Sequence, residues 1–135
     1  MPQVAQAVAK IPGVFVGGYT VSVASLAASA TTQLTFQVQA AYHFLWRRLT
    51  GQFDQVDWTI QIHLTGLGRN IFDLPFRGAL LFGEASGAAE PMWQGGFACQ
   101  PPQPIPSNSN VTVTIANGST GALNLFLGFF GTNYR

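Results

Sequence analysis

Residues 57–65 read DWTIQIHLT. Trp58, Ile60, Ile62 and Leu64 are apolar, and Asp57, Thr59, Gln61, His63 and Thr65 between them are polar. A repeat of two places alternate side chains on opposite faces of an extended chain, so this segment can bury one face only as a β-strand. The same period returns elsewhere. Leu34, Phe36 and Val38 alternate with Gln33, Thr35, Gln37 and Gln39, and Val111, Val113 and Ile115 alternate with Asn110, Thr112 and Thr114. Val14, Val16, Tyr19, Val21 and Val23 suggest another strand, with Gly17-Gly18 as a bulge or bend. No amphipathic pattern long enough for a helix of ten residues is present.

The remaining segments fit the same plan. Residues 41–49 (AYHFLWRRL) read as a strand in preference to a short helix, and shorter strands are expected near 70–74, 78–83 and 92–98. Pro101, Pro102, Pro104 and Pro106 lack backbone donors and predict a rigid loop, while Asn117-Gly118 predicts a turn. Seven to nine short strands separated by turn signals indicate an all-β fold, an antiparallel sandwich or small barrel. The expected organisation is an extended N-terminal arm, residues 1–13, followed by one domain over 14–135.

Charge narrows the function. Asp, Glu, Lys and Arg make up 8% of the 135 residues, whereas an average soluble domain carries roughly 25%. Disordered chains are polar and charged, and this one is 47% hydrophobic. A diffusing monomer keeps charge on its surface to prevent association, so a surface this poor in charge is expected to be covered by other protein. Nucleic-acid binding needs clusters of Lys and Arg; here the only adjacent pair is Arg47-Arg48 and the net charge is +1, so no nucleic-acid partner is expected. The run after Lys10 ends in Ala28-Ser29-Ala30 and loosely imitates a secretory signal. Pro12, Gly13, Gly17 and Gly18 break its apolar core, which also argues against a membrane span; the region is expected to be an arm leading into strands.

Candidate chemistry is sparse. His43 and His63 sit singly on separate strands, and neither forms a metal-ligand spacing with Cys99, so no metal and no cofactor is expected. Cys99 cannot close an intramolecular disulfide and is expected to be buried and inert. Of the acids Asp54, Asp57, Asp73, Glu84 and Glu90, the first two flank a turn into the Trp58 strand, and Asp73 has Arg69 and Arg77 as candidate partners. Gly66-Leu67-Gly68-Arg69 lacks the third glycine and the helix of a phosphate loop and reads as a turn. No G-x-S-x-G motif marks a nucleophilic serine, so no catalytic residue is expected. Asn110-Val111-Thr112 and Asn117-Gly118-Ser119 match the short glycosylation pattern. Trp58 shares the apolar parity of Ile60 and Ile62 and belongs to the core, whereas Trp46 and Trp93 are candidates for stacking on a sugar.

The C-terminal segment LNLFLGFFGTNYR poses a separate problem. Leu123, Leu125, Leu127 and Phe129 supply one apolar face, but Asn124, Phe126, Gly128 and Phe130 on the other parity are not the polar set of a solvated strand. Burying a Phe is worth roughly 1.5–3 kcal/mol, so a second face bearing two of them is expected to meet another subunit. Phe126, Phe130 and Tyr134 are the candidate interface residues, with Val4, Val8 and Ile11 anchoring the arm.

The uncharged arm, the strand DWTIQIHL and the ending IPSNSNVTVTIANGS…LNLFLGFFGTNYR together resemble small all-β virion proteins of tailed bacteriophages. The ending is a Pro/Asn loop, an alternating strand, an Asn-Gly-Ser turn and a strand closing in F-x-G-x-x-Y-R. In this it is similar to jelly-roll structural proteins encoded near phage capsid genes. The resemblance implies a jelly-roll-like sandwich and a capsid decoration or cementing protein on the virion surface. Its implied partners are the major capsid protein and copies of itself, as a homotrimer or other homo-oligomer. It brings no catalytic motif. Other expectations are a neck, tail or spike subunit, or a carbohydrate-binding adhesin using Trp46 or Trp93.

Overall fold

A computed structural model describes residues 15–72, 74–78 and 94–134. Among the described residues nine strands follow one another: β1 (Phe15–Leu26), β2 (Thr31–Gln37), β3 (His43–Phe53), β4 (Trp58–Leu64), β5 (Arg69–Asn70), β6 (Phe76–Arg77), β7 (Gln94–Ile105), β8 (Asn110–Asn117) and β9 (Leu123–Tyr134). A single 3₁₀ turn, Thr65–Leu67, carries β4 into β5, and Gly68 completes it at φ 63°. All pairings between strands are antiparallel.

The strands form two packed sheets, the first in the order β1-β9-β3-β7 and the second in the order β2-β8-β4-β5, with β6 also on β4. The ladders β1·β9, β2·β8, β3·β7 and β4·β5/β6 make one long antiparallel hairpin with its tip at the 3₁₀ turn. Successive rungs lie alternately in the two sheets, and the pairings β9·β3 and β8·β4 close them. That is the jelly-roll form of the antiparallel sandwich.

The period-two pattern determines what lies between the sheets. Phe44, Trp46, Leu49, Leu123, Leu125, Leu127 and Phe129 point inward from the first sheet. Trp58, Ile60, Ile62, Leu64, Val111, Val113 and Ile115 meet them from the second, and all are fully buried. Aromatic contacts join the layers, Tyr19 of β1 stacking on Phe36 of β2 at 4.7 Å and Phe129 meeting Phe36 at 4.9 Å; within the first sheet Phe129 meets Trp46 at 5.1 Å.

Three segments depart from expectation. Strand β7 runs through Pro101, Pro102 and Pro104, where the sequence predicts a loop. It is an edge strand, so a missing N–H need not leave a neighbour unpaired; its register steps from Trp46↔Gln103 to Arg48↔Ala98, so Pro101 and Pro102 bulge away while Pro104 stays paired with Leu45. Gly17-Gly18 makes no bulge: the pairs Gly17↔Gly131 and Gly18↔Phe130 are in continuous register, and the shift falls between Val23 and Leu26, with Ser25 at φ 53°. At Gly17 the need is space, since a Cβ there would lie 2.1 Å from the Asn133 amide nitrogen. The strand expected at 70–74 is reduced to the two-residue bridges β5 and β6. The arm with Val4, Val8 and Ile11, most of the 78–83 segment, and Trp93 lie outside the described residues.

Candidate assembly surface

Several of the described residues considered for chemistry hold structural roles. Trp46 is fully buried and its indole N–H donates to the Arg48 carbonyl at 2.9 Å, so it offers no face to a sugar. Its parity on β3 is that of Phe44, which explains the burial. His43, on the first sheet, accepts at Nδ1 from the Ser107 N–H at 3.1 Å. His63, on the second, donates from Nδ1 to the Asn70 side-chain oxygen at 2.8 Å. Cys99 is buried on β7, and desolvation pushes its thiol up to about 12. Among the described residues no three His, Cys, Asp or Glu gather as metal ligands.

The acids act as ties. Both carboxylate oxygens of Asp54 accept from Asn124, one from its backbone N–H at 2.8 Å and one from its side-chain amide at 2.7 Å. Asn124 in turn accepts from the Ser25 N–H at 2.9 Å, so one carboxylate links β3, β9 and the bulge of β1. Asp57 lies 3.9 Å from Arg77, both exposed, and Arg69 donates to Gln103. Asp73, Glu84 and Glu90 lie outside the described residues. Asn117 is buried, and its side chain is occupied at both ends, by the Leu26, Ala27 and Gly121 carbonyls and by Ser119. The folded chain therefore offers it as no acceptor for a glycan.

The outer face of the first sheet is different. Strand β9 runs through its middle, between β1 and β3, and the face follows from the register. Phe126 lies between Ser22 and Gln52, Gly128 between Thr20 and Thr50, and Phe130 between Gly18 and Arg48. Phe126 is 49% exposed and Phe130 43%, on the central strand where a solvated sheet would carry polar residues. The Phe130 ring folds over its neighbours: a Cβ on Gly128 would come within 2.7 Å of it, and one on Gly18 within 3.4 Å. Beneath this cover Thr50 is 9% exposed, and its hydroxyl has no hydrogen-bond partner among the described residues. Tyr134 is half-buried and tilts against His43 at 5.3 Å, so part of its surface is already used within the chain. Charged groups on this face include Arg47 and Arg48, the former donating to Thr132 at 3.1 Å, and Asp54 at the Asn124 end.

The surface is thus a shallow apolar strip of two phenylalanines with a hydroxyl and amide margin and a basic flank. It contains no cleft in which titratable groups converge on a reacting atom. It can bury apolar area against another flat surface. Parity along β9 made the two Phe visible in the sequence; that Gly128 leaves room for the Phe130 ring emerges only from the β9·β3 register.

The fold and this face define the protein as a jelly-roll sandwich with an apolar strip on one sheet. No family model matches the sequence, and no curated protein matches it.

Proposed function

We propose that this chain is a non-enzymatic structural subunit of a virus particle, a decoration or cementing protein on the head of a tailed phage. Jelly rolls serve mainly as capsid subunits, lectins and cupins. A cupin uses a cluster of metal ligands inside its barrel, whereas His43 and His63 lie on different sheets; of the two rings considered for sugar stacking, Trp46 is a core residue and Trp93 lies outside the described residues. Capsid-type assembly needs a surface that binds protein. The observation that carries the reading is the exposure of Phe126 and Phe130 on the central strand of a sheet in a chain with 8% charge. The strip seats on an apolar patch of the major capsid lattice, and acceptor groups around that patch meet Arg48. Each subunit contributes a modest apolar area, and many copies together resist internal pressure.

The test is association with particles. Purified virions are expected to carry the protein on the head in copy numbers comparable with the major capsid protein. Heads stripped of it are expected to rebind the native chain and not Phe126→Asp/Phe130→Asp. Absence from purified virions, or equal rebinding of the variant, refutes the proposal. A few copies at one vertex would place it in the neck or tail instead.

A further inference from the structure

We infer that two copies of this chain pair edge to edge through β2, antiparallel about a two-fold axis at Leu34, and so join their second sheets into one. The inference is independent of the virion reading and concerns a different surface.

An open sheet edge is a template for another chain, and proteins protect such edges with prolines, bulges, charges or brevity. Three of the four edges here carry such devices. Strand β7 has Pro101, Pro102 and Pro104; β1 has a bulge with Ser25 in the left-handed region; β5 and β6 have two residues each, with Arg69 and Arg77. Strand β2 has none of these. Among the described residues it pairs only with β8, in unbroken register from Thr31↔Ala116 to Gln37↔Asn110. Its sequence TTQLTFQ contains no charge, proline or glycine, and no Asp, Glu, Lys or Arg stands anywhere between Lys10 and Arg47. The flanking turns expose only small or amide residues, Ala27 to Ser29 on one side and Gln39 to Ala41 on the other, where the Gln39 N–H donates to the Tyr19 hydroxyl at 3.1 Å.

The edge is complementary to itself. Ala30 accepts from Asn117 at 2.9 Å and Val38 donates to Ser109 at 3.0 Å, so even-numbered residues bond towards β8. By alternation the N–H and C=O groups of Thr31, Gln33, Thr35 and Gln37 point to the open side. Centred on Leu34, a second copy places Thr31 opposite Gln37 and Gln33 opposite Thr35, which gives about eight main-chain hydrogen bonds, two for each outward-facing pair. The same register keeps faces matched: Leu34 meets Leu34 and Thr32 meets Phe36 on the inner side, where Leu34 and Phe36 are only half-buried in one copy. All cross-strand pairs are uncharged, so no repulsion opposes an identical partner. An unrelated strand could form the same hydrogen bonds, but the match of centre, parity and side-chain class selects a second copy.

Sedimentation of the full chain tests this. The native protein is expected at twice the 14.5 kDa chain mass, falling towards the single mass on dilution. Gln33→Lys/Thr35→Lys sets two lysine pairs face to face across the axis and is expected to abolish the dimer. Gln33→Lys/Thr35→Glu sets opposite charges there and is expected to retain it. Both positions are exposed, and unchanged circular dichroism verifies that each variant folds. Phe126→Asp/Phe130→Asp is expected to remain dimeric, so loss of particle binding and loss of dimerisation are separate results. A native chain that is monomeric at all concentrations overturns the inference, as does a Lys/Lys variant of native mass or a Lys/Glu variant that is monomeric. A monomer that dimerises only when residues 1–14 are removed also overturns it, by assigning the edge to the chain's own N-terminal segment.

Discussion

Replacing Asn117 by alanine should cost more than its place at the end of β8, before a turn, suggests. Its amide nitrogen donates to Leu26 and Gly121 at 2.9 Å each and to Ala27 at 3.3 Å, and its oxygen accepts the Ser119 N–H at 3.0 Å. The Ala27 carbonyl keeps another donor, the Ala30 N–H at 3.0 Å. The Gly121 carbonyl likewise keeps the Ser119 hydroxyl at 3.1 Å, but the bonds from Asn117 to the Leu26 and Gly121 carbonyls and from the Ser119 N–H and hydroxyl to Asn117 are lost. At roughly 1 kcal/mol for each bond, plus a share of the penalty for leaving buried groups unpaired, the loss is about 3–4 kcal/mol. For a domain of this size that lowers Tm by about 10–15 °C. Urea unfolding followed by tryptophan fluorescence and circular dichroism measures it. Asn117→Asp keeps the shape but turns oxygens towards carbonyls, so it should be at least as unstable as Asn117→Ala at neutral pH. Surrounding carbonyls hold that carboxyl's pKa above its unfolded value of about 3.9, so the variant is most stable below that pH and weakens as pH rises. A midpoint for Asn117→Ala within about 0.5 kcal/mol of native would refute the reasoning, because ordinary surface changes fall in that range.

Two further predictions concern single positions. Gly131→Ala places a Cβ 2.0 Å from the Leu45 carbonyl oxygen, a backbone atom at the β3 bulge, and should destabilise by about 3 kcal/mol in the same urea assay. Native Cys99 should resist a thiol reagent at neutral pH and react once urea unfolds the chain. Because its folded pKa lies at about 12, above the ordinary thiol value, its contribution is intact at neutral pH and is lost as pH rises through the alkaline range towards 12. Cys99→Ala should therefore flatten the fall in stability above about pH 8.5, the unperturbed thiol value.

Much of the fold was legible because period two is a local signal. It placed β2, β4, β8 and β9 and assigned their inner faces, and the surplus Phe126 and Phe130 were visible from parity alone. What failed required knowing the neighbours. Proline removes a donor wherever it stands, but whether that matters depends on the strand having one partner or two; β7 has one. Gly17 signalled a bend, whereas its role is to admit the Asn133 side chain from β9, which no local pattern announces. The openness of β2 was equally hidden: TTQLTFQ reads as an ordinary alternating strand until the sheet order places it on an edge. Trp46 illustrates the reverse. It was a candidate for stacking on a sugar, and its shared parity with Phe44 on β3 places it in the core.

The position of β9 has a consequence for how the protein is made. The last strand in chain order lies second in the first sheet, between β1 and β3. Until it docks, those two strands face each other across an empty slot, and the inner surface of β3 lacks Leu125, Leu127 and Phe129. Pairing of β1 with β9 also joins residues as far apart as Phe15 and Asn133, a loop closure that slows folding. The folding chain is therefore most prone to aggregation before β9 docks. A prematurely stopped chain loses the keystone of the first sheet, where loss of an edge strand would have left the rest standing.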